Sequence, residues 1–338
     1  MTTVLLARLD SDGDVLLSGP AVRAVAEAGH RVLLLCGPRG AAAGRLLPGV
    51  DEVVVWHCPW IDADPAPVDA GDIARLVADL RDHEIDRALV LTSYHQSPLP
   101  LALVLRLAGV PWIGATSEDF PGSLLDLRHR LPDHGLHEVE RALSLAAAAG
   151  YRTDDTALAV RRPLPDTTAM TGDGPYVVVH PGASVPSRAA GPARVAEHVG
   201  ALVSAGHRVV VTGGPGETGL TAAVAGELAL DLGGATSLAE LADVLDRASC
   251  VVVGNTGPAH LAAAVGTPVV SLFAPVVPAE RWRPWGVAYI LLGDQKQQCA
   301  LTRARTCPVP GHPCLDGTSS CEVVAAVTTL SPFPAVCA

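Results

Sequence analysis

Three carboxylates follow the first apolar run of the chain, in the stretch LARLDSDGDVLLSGP, where they occupy positions 10, 12 and 14. Clustered carboxylates can bind a divalent cation, and a single carboxylate beside a substrate can act as a general base. A calcium loop of the EF-hand type needs Gly at its sixth position and Glu at its twelfth, where this chain has Val15 and Ala21. That kind of calcium site is therefore excluded.

Three interpretations of these carboxylates stay open. Asp10 and Asp12 are candidates for a divalent-metal pair. Asp14 stands at the start of the helix that follows, where a carboxylate can cap the helix or act as a general base. For Asp14 we predict the role of general base, and we predict no bound metal.

A second stretch with the pattern of a ligand site is GNTGPAHLAAAVGTP, which directly follows the apolar run SCVVV. Pro258 suits the first turn of a helix, and Asn255 or Thr256 can cap it, so strand, tight turn and helix follow one another. The free N–H groups at Gly257 and the partial positive charge of the helix end favour an anion, and His260 adds a donor. We predict that this helix end binds phosphate.

A third candidate is the loop that follows the apolar run of VVVHPGAS. Gly182 allows a ligand to approach the backbone, Ser184 can donate a hydrogen bond, and Arg188 can form a forked contact with phosphate oxygens. The alternative is an ordinary loop with a solvated arginine. We predict that Ser184 and Arg188 contact the same phosphate groups as the helix end.

Two further loops of the second half are weaker candidates for a nucleotide site. In TGGPGE, two glycines open a bend and Glu217 stands where a carboxylate can hold a ribose diol. In GGATSLAELADVL, Thr236 or Ser237 caps a helix, with Glu240 at the capping-box position. The loop around Thr236 is also predicted to meet the base of the nucleotide through backbone groups.

Candidate acceptor contacts lie in two loops of the first half. His95 and Gln96 follow the apolar run of LTSYHQSP, and each can contact a polar acceptor, although an ordinary loop histidine is an alternative. The stretch TSEDFPGSLLDLRHR adds Asp119, Arg128 and Arg130 as candidates. We predict that His95, Gln96, Asp119 and Arg128 bind the acceptor.

The elements that must position these residues alternate along the chain. Short apolar runs are separated by Ala- and Leu-rich helical stretches, which is typical of parallel sheets covered by helices on both faces. The predicted strands are VLLARL, RVLLLCG, EVVVW, RALVLTS, YVVVHPG, RVVVTGG, CVVVGN and PVVSLFAP. The pattern predicts an α/β protein with doubly wound sheets.

The two halves of the chain share a phrase. EAGHRVLLLCGPRG and SAGHRVVVTGGPGE each close a helix with Ala-Gly, enter a strand through His-Arg-Val and leave it through Gly-Pro. We therefore predict two similar Rossmann-like domains joined by a linker rich in Pro, Gly and Thr near 163–175. Their predicted bounds are 1–165 and 170–325, followed by a tail over 326–338. A cleft between the carboxyl ends of the two sheets is the expected ligand site.

Length and composition limit the class of protein. The 338 residues suit two domains, and aromatic residues make up only 4%, so Ala, Val and Leu must pack the cores. A formal charge of −11 argues against a nucleic-acid binder. No apolar run approaches the ~20 residues that span a bilayer, and MTTVLLARLD lacks the pattern of a signal peptide. We expect a cytoplasmic monomer with at most peripheral membrane contact.

The eight cysteines fall into two groups. Cys36, Cys58, Cys250 and Cys337 are scattered, and we predict that they are buried thiols. The other four crowd one segment, at positions 299, 307, 314 and 321. Their separations of seven, six and six residues do not match the C-x-x-C spacing of a zinc site.

Taken in order, these motifs resemble glycosyltransferase family 9, the ADP-heptose heptosyltransferases of lipopolysaccharide synthesis, which have the GT-B fold. The resemblance runs from LARLDSDGDVLLSGPAVRA through HPGAS, TGGPGE and GNTGPAHLAAAVGTPVVSLF to the cysteine-bearing segment. It implies two Rossmann-like domains facing across a cleft. It also implies a metal-independent enzyme that moves a sugar from a nucleotide sugar to a hydroxyl group with inversion.

The resemblance assigns roles to residues of this chain. Asp14 matches the family's proposed catalytic base, Arg188 its basic contact to the donor diphosphate, and Glu217 its ribose ligand. The segment from Asn255 to His260 matches its remaining donor-binding motif. One departure is that Arg188 is followed by Ala-Ala, where the family usually has Trp. The resemblance implies no bound cofactor and a nucleotide-sugar co-substrate that is ADP-linked in the family pattern.

Three other functions were weighed against this one. A nucleotide-sugar 2-epimerase shares the two-domain fold but needs acid and base residues around the sugar. A sugar-nucleotide-binding relative without turnover is a non-enzymatic alternative. An NAD dehydrogenase is disfavoured because neither half carries G-x-G-x-x-G after its first strand. The motifs leave open the sugar, the base and the acceptor, which can be a glycan, a lipid-linked sugar or a specialised metabolite.

Overall fold

The fold is taken from a computed structural model that describes residues 2–61, 65–93, 95–131 and 135–331. The chain divides into two compact units, with the boundary after Arg161. The predicted tail begins inside the last helix of the second unit. Its residues from 332 onwards, including Cys337, lie outside the described residues.

The first unit, the N-terminal domain, is built around a parallel sheet. Among its described residues the strands are β1 (Thr3–Arg8), β2 (Arg31–Cys36), β3 (Glu52–Val55), β4 (Arg87–Val90), β5 (Trp112–Thr116) and β6 (Leu127–His129). They lie in the order β3-β2-β1-β4-β5-β6. All six residues of β1 are buried, as expected for a central strand with helices on both faces.

Helices cover this sheet. Within the same described residues they are α1 (Asp12–Leu17), α2 (Gly19–Glu27), α3 (Ala41–Leu46), α4 (Ala70–Asp82), α5 (Leu99–Leu107) and α6 (Glu138–Ala148). Leucines of β1, β2, α4 and α5 meet in one hydrophobic core on one face of the sheet. The helix α6 packs against α1 and α2, which brings its amino end towards the loop after β1.

The second unit, the C-terminal domain, repeats this plan. Among its described residues the strands are β7 (Val177–His180), β8 (Val209–Gly213), β9 (Leu230–Gly233), β10 (Cys250–Gly254), β11 (Val269–Leu272) and β12 (Tyr289–Leu292). They lie in the order β12-β11-β10-β7-β8-β9, with parallel pairing. Valines dominate the core between this sheet and its helices.

The helices of the C-terminal domain vary more in length than those of the N-terminal domain. Within residues 162–331 they are α7 (Thr168–Thr171), α8 (Pro192–Ser204), α9 (Thr218–Ala225), α10 (Leu238–Asp246), α11 (Gly257–Val265), α12 (Ala279–Trp282), α13 (Pro313–Asp316) and α14 (Ser320–Leu330). Short 3-10 turns occur at Pro38–Gly40, Gly122–Leu124, Pro186–Arg188 and Pro215–Glu217.

Both sheets have the strand order of a Rossmann domain. In each, the chain winds outwards from a central strand, crosses over, and winds outwards on the other side. The order reverses between β1 and β4 in the N-terminal domain and between β7 and β10 in the C-terminal domain. Ligands of doubly wound sheets bind at the carboxyl ends of the strands at such switch points. The loops after these four strands are therefore the places to examine.

All eight apolar runs predicted as strands are strands in the structure, but four further strands were missed. β6, β9 and β12 are edge strands, and apart from the buried Leu232 their residues are only partly buried or exposed. The runs LRH of β6 and LDLG of β9 contain few apolar residues and do not indicate strands. The run YILL of β12 is apolar, and it was missed all the same. β5 is more central, but Gly114 and the preceding Pro weaken its pattern.

The helix signals are confirmed with one correction. Ser237 and Glu240 form the predicted capping box of α10. α11 ends at Gly266, whose φ of 91° lies in the left-handed region that glycine adopts readily. The correction concerns α1, because its N-cap is Ser11, and Asp14 is the third residue of its first turn. The capping interpretation of Asp14 is therefore wrong.

Candidate active site

Asp14 lies at the switch point of the N-terminal sheet and is held at both of its oxygens. Its Oδ1 accepts a hydrogen bond from Arg8 Nη2 at 3.0 Å, and its Oδ2 accepts one from Ser11 Oγ at 2.9 Å. The side chain is 21% exposed. These two bonds fix the orientation of the carboxylate, which is an acceptor when it is ionised.

Arg8, the last residue of β1, is the centre of a buried ion cluster. Its Nε lies 3.0 Å from Asp10 Oδ2, and its Nη1 lies 3.5 Å from Glu138 Oε2 at the start of α6. Its Nη2 also donates to Ser93 Oγ at 2.8 Å. Burial alone would lower the pKa of Arg8, but the three neighbouring carboxylates outweigh it and raise that pKa. The guanidinium is therefore permanently charged.

Asp10 is tied to the loop after β4 as well as to Arg8. Gln96 Nε2 donates to Asp10 Oδ1 at 2.6 Å, and the Gln96 side-chain carbonyl accepts the N–H of Ser93 at 3.0 Å. Burial raises the pKa of Asp10, and Arg8 opposes that effect. The two loops of the switch point are thus joined by side-chain hydrogen bonds.

Asp12 has a different partner from Asp10. Its Oδ1 accepts the N–H of Ala43 at 3.0 Å, and burial raises the pKa of the carboxyl group. Across the described part of the chain, no three His, Cys, Asp or Glu side chains come together in an arrangement that could hold a metal ion.

The predicted acceptor residues occupy different settings. Gln96 belongs to the ion cluster, whereas His95 and Asp119 are exposed. Arg128, on β6, uses its guanidinium to hold the preceding loop, with Nε donating to Ser117 O at 3.1 Å and Nη2 donating to Glu118 O. Arg130 is exposed. Of the predicted set, only Gln96 is linked by these contacts to the Asp14 cluster.

Sequence reasoning missed three charged members of this cluster. Arg8 is 5% exposed, Glu138 is 1% exposed, and Arg141 lies with its Nε 3.2 Å from Glu138 Oε1. A charged residue inside the apolar run VLLARL was the available signal for Arg8, since arginine is almost never buried without a partner. Nothing in the local sequence links Glu138 to it.

At the switch point of the C-terminal sheet, α11 points its amino end out from the end of β10. Thr256 is its N-cap, and the Thr256 side chain makes no capping hydrogen bond to the first turn. His260, in the first turn, is buried, and Asn255 is 3% exposed. The Asn255 amide nitrogen makes no hydrogen bond within the described residues. Such a helix end favours an anion.

The loop after β7 lies against the end of β10 and carries Arg188. A Cβ at Gly254 would stand 2.7 Å from the carbonyl oxygen of Arg188, so only glycine allows this approach. Arg188 is half-buried, and Ser184 in the same loop is exposed. The loop that carries Arg188 and the turn that leads into α11 are therefore neighbours.

Ser187 ties this loop to the cysteine-bearing segment. Its N–H donates to Arg305 O at 3.0 Å, and its Oγ donates to Ala304 O at 2.5 Å. His312 Nε2 lies 3.2 Å from Ser187 O, within hydrogen-bond distance. Three bonds from residues 304–312 thus hold the residue next to Arg188.

Glu217 packs over the loop after β7. Its Oε2 accepts the N–H of Gly214 at 2.7 Å, and a Cβ at Gly182 would collide with its carboxylate. The side chain is 30% exposed, and its Oε2 lies 4.0 Å from His180 Nε2. Burial lowers the pKa of His180 to about 4, and its Nδ1 pairs with Thr212 Oγ1 at 3.1 Å. The Glu217 carboxylate therefore helps to hold the loops after β7 and β8 in place.

The remaining predicted donor residue and the cysteines are also located. Thr236 is half-buried and precedes Ser237, the cap of α10.

The described scattered thiols at 36, 58 and 250 are buried, as predicted. In the cysteine-bearing segment, Cys299 and Cys314 belong to the hydrophobic core, Cys307 is partly buried and Cys321 is exposed. Burial raises the pKa of Cys314 to about 11, which makes it a poor nucleophile.

Solved structures share this architecture. The E. coli ADP-heptose lps heptosyltransferase II matches with a TM-score of 0.75 and 18% identity, over 98% of this chain and 99% of its own. The E. coli heptosyltransferase WaaC with ADP matches with a TM-score of 0.68 and 20% identity, over 98% and 99%. The fold, with its two Rossmann-like domains, is GT-B.

The family is shown by sequence. The model of glycosyltransferase family 9 (heptosyltransferase) matches residues 73–312. Lipopolysaccharide heptosyltransferase 3 of E. coli K12 is 33% identical over 175 residues, which are 46% of this chain and 49% of that protein. The chain thus spans about half the length of the curated relative it matches. It belongs to glycosyltransferase family 9, as the motifs indicated.

None of the helices in the described ranges combines the length and the apolar character needed to cross a membrane.

Proposed function

We propose that this protein is an inverting glycosyltransferase that moves a heptose from ADP-heptose to a hydroxyl group of a glycan, lipid-linked or specialised-metabolite acceptor. Membership of family 9 supports the reaction class. The matched relatives named heptosyltransferases, one of them solved with ADP, support the donor. The acceptor is defined only as a molecule with a nucleophilic hydroxyl group.

One observation carries the proposal for this chain. The Arg188 loop reaches the end of β10 so closely that its carbonyl oxygen would lie 2.7 Å from a Cβ at Gly254. This places a guanidinium-bearing loop beside the amino end of α11, at the switch point of the sheet. A guanidinium and free helix N–H groups are the groups that bind a diphosphate.

In the proposed donor site, α11 and Arg188 hold the diphosphate. N–H groups at Gly257, the Thr256 hydroxyl and the Arg188 guanidinium stabilise the charge that develops as the diphosphate leaves. Well-placed donors of this kind are each worth about 3–4 kcal/mol, so we infer that the reaction needs no metal ion. Asn255, Ser184 and His260 complete the set of donor contacts, with Glu217 on the ribose and Thr236 by the base.

In the proposed chemical step, Asp14 is the general base. As the acceptor oxygen attacks the anomeric carbon, its proton passes to the Asp14 carboxylate. The new carbon–oxygen bond forms while the bond from the anomeric carbon to the diphosphate breaks, and the configuration inverts. ADP leaves with the bonding electrons. Positioned bases typically contribute 10²- to 10⁴-fold to a rate.

The acceptor contacts and the setting of the reaction follow from the same proposal. We infer that His95, Gln96, Asp119 and Arg128 line the acceptor side, as the sequence predicts. We also infer a cytoplasmic protein that acts as a monomer. Free thiols at all seven cysteines of the described residues are typical of a reducing compartment.

Ligand-dependent melting tests the donor site directly. ADP, GDP, UDP and dTDP are each added to the protein, and we expect ADP to raise the melting temperature most, because a ligand that binds only the folded state stabilises it. EDTA should leave the ADP effect unchanged. Arg188→Ala should weaken ADP binding at least about tenfold, a loss of about 1.4 kcal/mol.

The matched control is Arg194→Ala, which removes an arginine of the same domain that pairs with Glu197 on the surface of α8. It should bind ADP like the wild type. A protein whose melting temperature responds to no nucleoside diphosphate, or an Arg188→Ala variant that binds ADP normally, would contradict the proposed donor site.

A further inference from the structure

We propose that Glu138 is a positioning residue that sets the proton affinity of Asp14 through Arg8. Glu138 is not itself assigned to substrate binding and acts on Asp14 through Arg8. Its effect on catalysis rests on the proposed role of Asp14 as general base, but its effect on the titration of Asp14 does not. The two can therefore be tested separately.

The contacts form a continuous chain from Glu138 to Asp14. Glu138 Oε2 lies 3.5 Å from Arg8 Nη1, and Arg8 Nη2 donates to Asp14 Oδ1 at 3.0 Å. Arg8 and Glu138 are nearly inaccessible to water, with side-chain exposures of 5% and 1%. Charges interact more strongly in such surroundings than in water, so a change at Glu138 is felt at Asp14.

Charge balance explains why such a residue is needed. A carboxylate paired alone with a guanidinium binds protons weakly, which is unsuitable for a general base. Here Arg8 is shared by Asp10, Asp14 and Glu138, and Arg141 is the second cation of the cluster. The positive charge of Arg8 is therefore divided among three carboxylates and does not act on Asp14 alone. Arg8 thus orients Asp14 while the other carboxylates preserve its basicity.

The position of Glu138 is fixed by its helix. It is the first residue of α6, where the helix end favours a negative charge. The helix begins with a capping box in which His137 Nδ1 accepts the N–H of Val139. Glu138 Oε1 lies 3.2 Å from Arg141 Nε on the next turn. The carboxylate is therefore held between two guanidiniums.

Other charged groups on the elements packed against α1 have partners of their own. Arg23 on α2 donates to the carbonyls of Asp155 and Ala157. On α1 itself, Asp12 accepts the N–H of Ala43. Arg39, in the turn after β2, acts on the cluster itself, because its positive charge lowers the pKa of Asp10. The remaining charged residues on these elements are Glu27 on α2, Arg45 on α3, and Glu140, which caps α6.

The test uses variants whose expected effects have opposite signs. Aspartate labelled with ¹³C at the carboxyl carbon is titrated by NMR in the full-length protein, and the Asp14→Asn variant identifies the Asp14 signal. In Glu138→Gln, the loss of a negative charge should lower the titration midpoint of Asp14 by about 0.5 pH unit or more. In Arg8→Gln, the loss of the positive charge should raise it by about 1 unit or more.

Two further variants keep the test decisive. Arg8→Lys retains the charge and should keep the midpoint within about 0.3 unit of the wild type, and it replaces Arg8→Gln if that variant does not fold. Arg31→Gln removes an arginine paired with Glu52 elsewhere in the domain and should change nothing. Identical midpoints in wild type and Glu138→Gln, or shifts of the same sign in both neutral variants, would overturn the proposal.

Turnover then tests the link to catalysis. With ADP release from ADP-heptose as the assay, the acidic limb of kcat/KM should move in the same direction as each NMR midpoint. If the Asp14 midpoint shifts in Glu138→Gln but the protein neither binds ADP nor releases it from ADP-heptose, the proposed function is wrong and the charge coupling is correct. If the enzyme is active but the midpoint does not shift, the charge coupling is wrong and the proposed function is correct.

Discussion

The two switch points of this protein hold their key residues by different means. In the N-terminal domain, Asp14 is held by side chains, through Arg8 and Ser11. In the C-terminal domain, each of the three bonds between Ser187 and residues 304–312 has a main-chain group as at least one partner, and glycine at 254 allows the Arg188 loop to touch the strand. The same strand order thus supports two kinds of site.

The difference teaches where each site is sensitive. A cluster of buried charges responds to changes in charge and pH, because each carboxylate feels its neighbours through a shared guanidinium. A site made of main-chain groups responds to changes in volume, because an added methyl group moves the backbone that carries the donors. A change in charge should therefore affect the Asp14 site more than the Arg188 loop. An added methyl group should affect the Arg188 loop more than the Asp14 site.

The largest effect is expected from Asp14→Asn, which keeps the size of the side chain and removes its ability to take a proton. Turnover, measured as ADP released from ADP-heptose, should fall about a thousandfold. ADP binding should stay within twofold of the wild type, because the proposed donor contacts are in the other domain.

Asp12→Asn is the matched control, since an amide oxygen can still accept the N–H of Ala43. It should keep most of the activity. Equal losses in the two variants would show that the loop responds to any change in charge, and would remove the distinction between Asp14 and its neighbour.

The two sites also differ in how much of each could be predicted from the sequence. The N-terminal signals of α11 are local in sequence, so the turn and the helix, to which we assign the donor diphosphate, could be predicted from GNTGPAHLAAAV. The Asp14 cluster depends on Glu138, which is far away in sequence and is brought near by the packing of α6 against α1. No local pattern encodes that contact.

Prediction of the strands is limited in the same way, because some strands depend on contacts that are distant in sequence. Central strands such as β1 and β10 are continuous apolar runs because they are buried on both faces, and they were predicted. Edge strands such as β9 are half exposed, so their composition resembles that of loops. Their existence follows from the pairing of β8 with a neighbour, which is a tertiary property.

A second prediction concerns pH and the C-terminal domain, where His180 is a buried titratable group beside the proposed donor loops. Its folded pKa of about 4 lies below the ordinary value of 6.5, so the folded state favours the neutral ring. Its contribution to stability is complete above pH 6.5 and is lost as the pH falls towards 4. The loss is at most about 3 kcal/mol.

Denaturant unfolding at several pH values between 7 and 4.5 measures this dependence. His180→Gln should flatten the slope of the unfolding free energy, while the exposed His57→Gln should retain it. Burial also lowers the pKa values of His198 and His207, so some slope should remain. An unchanged slope in His180→Gln would show that the histidine is protonated without cost in the folded state.

A third prediction tests the close contact between the donor loops. In Gly254→Ala the new methyl group would meet the Arg188 carbonyl oxygen at 2.7 Å, so the loop must move. We expect a loss of about 1–3 kcal/mol in unfolding free energy and a weaker binding of ADP by about tenfold.

Gly200→Ala, inside α8, is its control, because the nearest atom to its new methyl group would lie 3.8 Å away. It should bind ADP normally and be slightly more stable, since alanine favours a helix. Normal ADP binding by Gly254→Ala would mean that the position of the Arg188 backbone does not matter for the donor.

The smallest effect is expected from Ser187→Ala. The hydroxyl that donates to Ala304 O is lost, but the Ser187 N–H bond to Arg305 O and the contact with His312 remain. One hydrogen bond of this kind is worth about 1 kcal/mol, so ADP should bind a few-fold more weakly. Calorimetric titration with ADP at two salt concentrations measures it.

The salt dependence separates positioning from general destabilisation. If the segment at 304–312 holds Arg188 against the diphosphate, a loosened loop should make ADP binding less sensitive to salt, because the ionic contact contributes less. Ser204→Ala, which removes an exposed hydroxyl bonded within α8, should leave both affinity and salt dependence unchanged. If Ser187→Ala binds ADP more weakly but with an unaltered salt dependence, Ser187 contributes to folding alone. The main-chain contacts then suffice to hold Arg188.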